Sequence, residues 1–245
     1  MTRRSGFTLA EVLITLGIIG VVAAMTIPNL IANTNGAKFR SQFKKSISTL
    51  NQAGLMAQAQ YDFDYAGTSA KCNAAQATGA AEHPEVTMTF CSILNGTLTG
   101  QTYQGVATNL KRNANGSEVA YSFVKKYTLK EPANYLAYTL ADGSIVAFDA
   151  NAQGCELPIG TQLTDTVIDS GVLKDCTGFI DVNGVTLPNK EVSCTTGNTA
   201  SKKVQTPCAV KNDANHMTDV FPVVFHDATV EPASDAAKYV LTSSK

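Results

Sequence analysis

The segment GFTLAEVLITLGIIGVVAAMTIPNLI, from Gly6 to Ile31, decides the fold of this chain. Val, Ile and Leu dominate it, and Glu11 is its only charged residue. The stretch from Phe7 to Ile27 forms a helix of about 31 Å at a rise of ~1.5 Å per residue, which matches the thickness of a bilayer's hydrocarbon core. We therefore predict that residues 7–31 form a helix that crosses a membrane once.

The flanks of this segment distinguish a membrane span from a secretory signal peptide. A short basic leader, MTRRSG, precedes it, and AAMTIP near its end offers Ala23 and Ala24 as small residues for a cleavage site. A signal peptide, however, has a shorter apolar core, and nothing helical need follow its cleavage site. The length of the run and the helical pattern that resumes after it favour a retained span.

The run Gly6 to Glu11 (GFTLAE), with the apolar stretch and Pro28 after it, resembles the N-terminus of type IV pilins and type II secretion pseudopilins. In that family a prepilin peptidase cuts after the glycine and methylates the new N-terminal residue. The resemblance implies that residues 1–6 are a leader, cut between Gly6 and Phe7, and that Phe7 becomes N-methylated.

Glu11 is costly in this position, because an ionised carboxylate in hydrocarbon costs at least ~2.5–3.5 kcal/mol. Cleavage would create an amine at Phe7, one helical turn from Glu11. The resemblance implies that this amine neutralises Glu11 in its own subunit or in the next subunit of a filament. We therefore predict Phe7, Glu11 and Pro28 as assembly residues. An acid that merely reaches the headgroups from the helix end is the alternative.

The charges around the span conflict with this orientation. Arg3 and Arg4 precede the span, and four basic residues follow it: Lys38, Arg40, Lys44 and Lys45. A count of positive charges would keep the rest of the chain in the cytoplasm. The resemblance and the cysteines place it outside, so we predict a single-pass inner-membrane protein with its C-terminal part outside the cytoplasm.

Apolar residues continue at helical spacing after the span and predict an amphipathic helix over residues 32–65: Phe39, Phe43, Ile47, Leu50 and Gly54. The residues from Asn33 to Gly36 are poor helix formers, and glycine alone costs ~1 kcal/mol relative to alanine. We expect a kink or a weak section there.

Short β-like runs follow, so residues 66–245 are predicted to form an antiparallel sheet that packs on the helix, an α+β fold. NYLAYTLADGSIVAFD predicts a hairpin with a type I′ turn at Asp142-Gly143. GFIDVNGVTL predicts a second hairpin at Asn183-Gly184, and Pro222 in DVFPVVFHD indicates an edge strand.

Six cysteines lie beyond the apolar segment, and no CxxC motif occurs. This spacing favours disulfides in an oxidising compartment, with unrelated buried thiols as the alternative. Although six cysteines allow many pairings, we predict that sequence neighbours pair and staple the loops: Cys72–Cys91, Cys155–Cys176 and Cys194–Cys208.

No cofactor is predicted. The weaker alternative is a calcium ion held by Asp181, Asn183 and Asp219, because oxygen ligands at alternate loop positions suit calcium. Some pseudopilins hold calcium in a C-terminal loop, but this chain lacks a complete EF-hand loop, and an ordinary turn explains the same residues.

Enzymatic activity is not expected, because phosphate-binding, hydrolase and zinc-protease motifs do not occur. The net charge of −1 gives no overall basic field, so nucleic-acid binding is not predicted. The resemblance instead implies a structural subunit that lies in membrane lipid, is processed by prepilin peptidase and polymerises with copies of itself through an inner-membrane assembly platform into an extracellular filament.

Two alternatives stay open within this reading. One is a type II secretion pseudopilin. The other is a minor or tip pilin that acts as an adhesin or a DNA-binding module, for which KRNANGSEVAYSFVKKY (residues 111–127) supplies basic and aromatic residues.

Overall fold

The computed structural model of this chain describes residues 7–79, 87–114, 117–120, 134–163, 167–168, 171, 173–196, 208–211 and 216–243. One long helix, α1 (Leu9–Tyr61), comes first. Two short helices follow it, α2 (Ala74–Ala77) and α3 (Phe90–Thr97), and the last helix, α4, covers Asp235–Thr242.

The strands form one large sheet and one small ribbon. In chain order they are β1 (Thr102–Val106), β2 (Lys111–Ala114), β3 (Ser117–Ala120), β4 (Tyr135–Thr139), β5 (Ile145–Asp149), β6 (Thr177–Asp181), β7 (Val220–His226) and β8 (Thr229–Pro232). The six-stranded sheet has the order β1-β4-β5-β6-β7-β8, with every pair antiparallel, while β2 and β3 pair with each other in a separate two-stranded ribbon. The predicted α+β class is confirmed.

The expected kink or weak section at Asn33–Gly36 does not interrupt α1, which is continuous over 53 residues. The Thr34 hydroxyl donates to the Leu30 carbonyl at 2.8 Å, and Gly36 is buried. A break would require a new and costly helix nucleus on its far side, so strong helix on both flanks outweighs a few poor residues. The helix also ends before residue 65, at Tyr61, because Asp62 adopts a left-handed conformation with φ 62°.

Helix α1 packs on the sheet through the stripe predicted from the sequence. Phe39, Phe43, Ile47 and Leu50 are all buried. The Phe43 ring stacks on Phe221 of β7 with a centroid distance of 4.2 Å. The predicted amphipathic half of the helix therefore forms one wall of the core.

The predicted hairpin between β4 and β5 is present, but its turn differs. The Gly143 N–H donates to the Leu140 carbonyl at 2.9 Å, and Leu140 N–H donates to Ser144 at 2.8 Å. A type I′ turn requires positive φ at both central residues, whereas within this turn only Gly143 has it, at 85°. The connection is a three-residue loop in which glycine supplies the single left-handed position.

The second predicted hairpin does not form. Strand β6 ends at Asp181 and pairs with β5 and β7, and the chain then turns repeatedly as far as Pro188. Asn183 organises this loop, because its side-chain amide donates to the Leu187 carbonyl at 3.0 Å. Local side-chain hydrogen bonds of this kind compete with strand pairing.

Pro222 does not mark an edge strand, since β7 pairs with both β6 and β8. The Pro222 carbonyl accepts a bond from Ala233 N–H at 3.0 Å, one residue beyond the end of β8. The missing proline N–H therefore falls at the end of the ladder with β8 rather than within it.

Three disulfides join the cysteine pairs that the sequence predicted: Cys72–Cys91, Cys155–Cys176 and Cys194–Cys208, with Cα–Cα separations of 5.8, 5.7 and 5.3 Å. The first ties the segment after α1 to helix α3, and the second ties the segment after β5 to the start of β6. Each closes a loop of the chain beyond α1 and so restricts the unfolded chain.

Candidate functional site

The first half of α1 has no packing partner within the described residues. Every large apolar side chain from Leu9 to Ile31 is exposed, with Leu13 and Ile19 at 61% and 63%. Folded monomers rarely expose contiguous apolar patches of this extent. By length and composition α1 can cross a membrane. This surface requires a cover of lipid or of other apolar helices.

Glu11 and Thr8 form a reciprocal hydrogen-bonded box at the start of α1. Thr8 is the N-cap residue, and its hydroxyl accepts from Glu11 N–H at 3.2 Å. In return, Thr8 N–H and the Thr8 hydroxyl donate to Glu11 Oε2 at 2.8 and 2.9 Å. The box satisfies two otherwise orphaned backbone donors at the helix start.

This arrangement changes the predicted role of the neighbours of Glu11. Phe7 lies before the helix with a 90% exposed side chain, so it does not occupy a helical turn below Glu11 as the spacing suggested. Gly6 lies outside the described residues. The partner of Glu11 within the subunit is Thr8, which sequence reasoning missed, although threonine three residues before glutamate is the pattern of a capping box.

Both bonds from Thr8 end on Oε2 of Glu11. Within the described part of the chain, no hydrogen bond reaches Oε1. A carboxylate oxygen can accept two bonds, so Glu11 retains capacity for a further donor without release of its cap. The local geometry therefore leaves Glu11 able to accept a hydrogen bond from another molecule while it keeps its bonds to Thr8.

Pro28 lies inside α1 and is exposed. Proline has no backbone N–H, so the carbonyl four residues earlier, on Ala24, loses its usual helical donor. The helix nevertheless continues for more than thirty residues beyond it. Pro28 thus marks a locally weaker hydrogen-bond ladder within the exposed apolar half.

The calcium candidates lie together where β6 ends and β7 begins, and the Val182 N–H donates to the Asp219 carbonyl at 3.0 Å. The buried carboxylate of Asp219 accepts from Asn189 and Lys190 N–H groups at 3.0 and 2.8 Å. Burial raises the pKa of Asp219 to about 6, although these backbone donors oppose the rise. Asn183 N–H donates to Asp181 Oδ1 at 3.0 Å.

These contacts give the two carboxylates a role in the loop after β6. Among the described residues, no group of three or more His, Cys, Asp or Glu side chains is arranged to hold a metal ion. Calcium binding here stays the weaker alternative to the prediction of no cofactor.

The basic and aromatic run at residues 111–127 is only partly described. Lys111–Ala114 and Ser117–Ala120 form the β2-β3 ribbon, and residues 121–127 lie outside the described residues.

The comparison with protein families agrees with the N-terminal geometry. Residues 1–27 match the family model of the prokaryotic N-terminal methylation motif, which is the signature of type IV pilins and pseudopilins. No curated protein and no solved structure matched the chain. The matched segment ends before Pro28, so it covers residues 1–6 and most of the exposed apolar stretch of α1 but not the sheet.

Proposed function

We propose that this chain, which bears the N-terminal signature of type IV pilins and pseudopilins, is a structural subunit of a type IV pilus or pilus-like filament. One observation carries the proposal: the signature begins a helix whose first half is apolar and exposed and whose second half is built into the sheet domain. The function is assembly with copies of the same chain rather than catalysis, and no cofactor is required.

Before assembly, lipid covers the exposed half of α1. The sheet domain lies outside the cytoplasm, which is supported by three disulfides, since these persist in oxidising compartments. Prepilin peptidase removes residues 1–6 and methylates Phe7. The inner-membrane platform then transfers the subunit into the filament, where helices of other copies replace the lipid.

In the filament, the amine of Phe7 from one subunit completes the hydrogen bonding of Glu11 in another. The geometry of Glu11 supports this exchange, because in the described part of the chain both bonds from Thr8 end on Oε2 and leave Oε1 for a further donor. An unpaired charge inside the apolar core would penalise every other axial register, so the pair would fix the stagger between subunits.

Replacement of Glu11 tests this role. In cells that produce the chain and its assembly machinery, Glu11→Gln should leave peptidase cleavage intact and reduce the yield of sheared filaments tenfold or more. Glu156→Gln, which alters an exposed acid of the sheet domain, is the matched control and should assemble as wild type. Normal filament yield from Glu11→Gln would contradict the proposed pairing.

A second measurement on the same cells separates a pilus from a secretion pseudopilus, which shares the N-terminal signature. Electron microscopy of cells at native expression should show surface filaments that contain this chain. If filaments appear only on overproduction, the pseudopilin alternative is favoured.

A further inference from the structure

Helix α1 carries an unbalanced positive charge just beyond its apolar half. From Val12 to Tyr61 the helix has no acidic residue, and its four basic residues fall within eight positions: Lys38, Arg40, Lys44 and Lys45. Two of the four have partners in the fold. Lys45 forms a 3.1 Å ion pair with Asp142 in the β4-β5 turn, and Lys44 donates to the Ser243 carbonyl at 3.4 Å.

Lys38 and Arg40 differ from this pair. Within the described part of the chain, no carboxylate lies within 4.0 Å of either side chain. Lys38 is exposed, and Arg40 is half-buried with an Nε atom that is buried and has no hydrogen-bond partner there. Two positive charges therefore lack a counter-charge in the fold that the structure describes.

The position of these residues along the helix indicates what supplies the counter-charge. Ile31 is the last large side chain of the exposed apolar run. If the run from Phe7 to Ile31, about 37 Å long, fills the hydrocarbon core with a modest tilt, Ile31 lies at its edge, and Lys38 and Arg40 lie about 10 and 13 Å farther along the helix at a rise of ~1.5 Å per residue. Lys44 and Lys45 lie about 20 Å beyond it.

A headgroup layer is roughly 5–7 Å thick on each side of the hydrocarbon core. Side chains on a helix lean toward its N-terminus, which for α1 is the direction of the membrane. Long lysine and arginine side chains also extend their charged ends toward the interface. The headgroup layer is thus within reach of Lys38 and Arg40, and beyond reach of the two lysines that the fold already uses.

We propose that Lys38 and Arg40 bind the phosphate groups of anionic lipids at the membrane face next to the sheet domain, while the subunit is stored in the bilayer. This depends on the proposed function only in that α1 spans a membrane. Arg40 can hold a phosphate through two parallel N–H bonds, and Lys38 acts as a point charge.

The lipid contact also accounts for the charge conflict found in the sequence. Of the four basic residues after the span, Lys44 and Lys45 form contacts within the domain, and Lys38 and Arg40 bind the headgroups. Neither use requires the cytoplasm, and phosphate binding works at either leaflet. The lipid contact holds unassembled subunits at the membrane, because extraction of a subunit into a filament would break it.

The test measures lipid retention by the full-length chain in detergent micelles. Phosphatidylglycerol or phosphatidylcholine is added, and native mass spectrometry gives the fraction of chains that carry a lipid. We expect wild type to retain phosphatidylglycerol preferentially. The double variant Lys38→Ala/Arg40→Ala should weaken that retention by about fivefold for each charge, and added salt should weaken it in wild type.

The double variant Lys44→Ala/Lys45→Ala is the matched control, with the same loss of charge farther along the helix, and should stay within twofold of wild type. Equal losses in both double variants, or equal retention of the two lipids by wild type, would overturn the proposal. So would unchanged lipid retention in Lys38→Ala/Arg40→Ala with reduced filament yield, because the charges would then pair with acidic side chains of another copy.

Lipid retention is measured on unassembled chains, so failure of filament formation in Glu11→Gln leaves its outcome unaffected. The two proposals therefore fail separately.

Discussion

Replacement of Phe43 by alanine tests whether α1 and the sheet form one unit. Phe43 is fully buried, and its ring stacks on Phe221 at 4.2 Å with an interplanar angle of 19°. Truncation of a buried phenylalanine costs about 3–5 kcal/mol, which includes lost ring stacking of ~0.5–1.5 kcal/mol. Strand β7 pairs on both sides, so Phe221 cannot move far to fill the space. We expect a loss of about 4 kcal/mol.

Thermal unfolding of the full chain in detergent, followed by near-UV circular dichroism, measures this loss. For a domain of this size each kcal/mol lowers Tm by about 2–4 °C, so Phe43→Ala should lower Tm by about 8–16 °C. Leu55→Ala is the control on the same helix, because Leu55 is 57% exposed, and its cost should be within ~0.5 kcal/mol. A Phe43→Ala protein that unfolds with the control would refute the packing of α1 on the sheet.

Three further changes test other parts of the fold. The pKa of Asp219 is about 6 in the fold and ~3.9 in the unfolded chain, so its contribution to stability is complete below pH ~4 and is lost as the pH rises through 6. The free energy of unfolding should therefore fall by about 3 kcal/mol over that range. Urea titrations should show this fall in wild type and not in Asp219→Asn. The Cys155–Cys176 disulfide closes a loop with a sequence separation of 21. Its removal in Cys155→Ala/Cys176→Ala should lower the free energy of unfolding in urea by about 3 kcal/mol, and an unchanged urea midpoint would contradict this. A Cβ on Gly178 would lie 2.2 Å from the Ala147 carbonyl oxygen, so Gly178→Ala should cost about 3 kcal/mol or more, and a wild-type Tm would show that the two strands can separate.

The helix and the hairpin of β4 and β5 were predictable because their signals are periodic. Phe39, Phe43 and Leu50 recur at helical spacing and are buried on one face of α1. The poor helix formers at Asn33–Gly36 do not end the helix, because residue propensities are local whereas helix continuity depends on the strong segments at both ends. Sequence patterns identify elements more reliably than their interruptions.

Sheet order and turn geometry were harder to predict, because both depend on contacts outside the short motifs that suggested them. Asn183-Gly184 has the composition of a hairpin turn, yet the side chain of Asn183 closes a loop instead. Pro222 suggested an edge, but its missing N–H falls at the end of the ladder with β8, and β7 pairs on both sides. The contact of Asn183 lies four residues along the chain, beyond the turn dipeptide, and the strand that pairs with Pro222 lies farther away still.

At the candidate site, the charge pattern identified Glu11, but the hydrogen-bond partner was missed. A lone acid in an apolar run stands out from the sequence, whereas Thr8 appears only when the orphaned backbone donors of the helix start are counted. The cap is a local feature, so the T-x-x-E spacing would have been sufficient to predict it.

The N-terminus of the chain recovered from sheared surface filaments tests the central claim most directly. Mass spectrometry of the N-terminal peptide should show a chain that begins at Phe7 with a methyl group on its amine. Filaments built from chains that begin at Met1 would contradict the account, because no amine would then be available at Phe7 to complete Glu11.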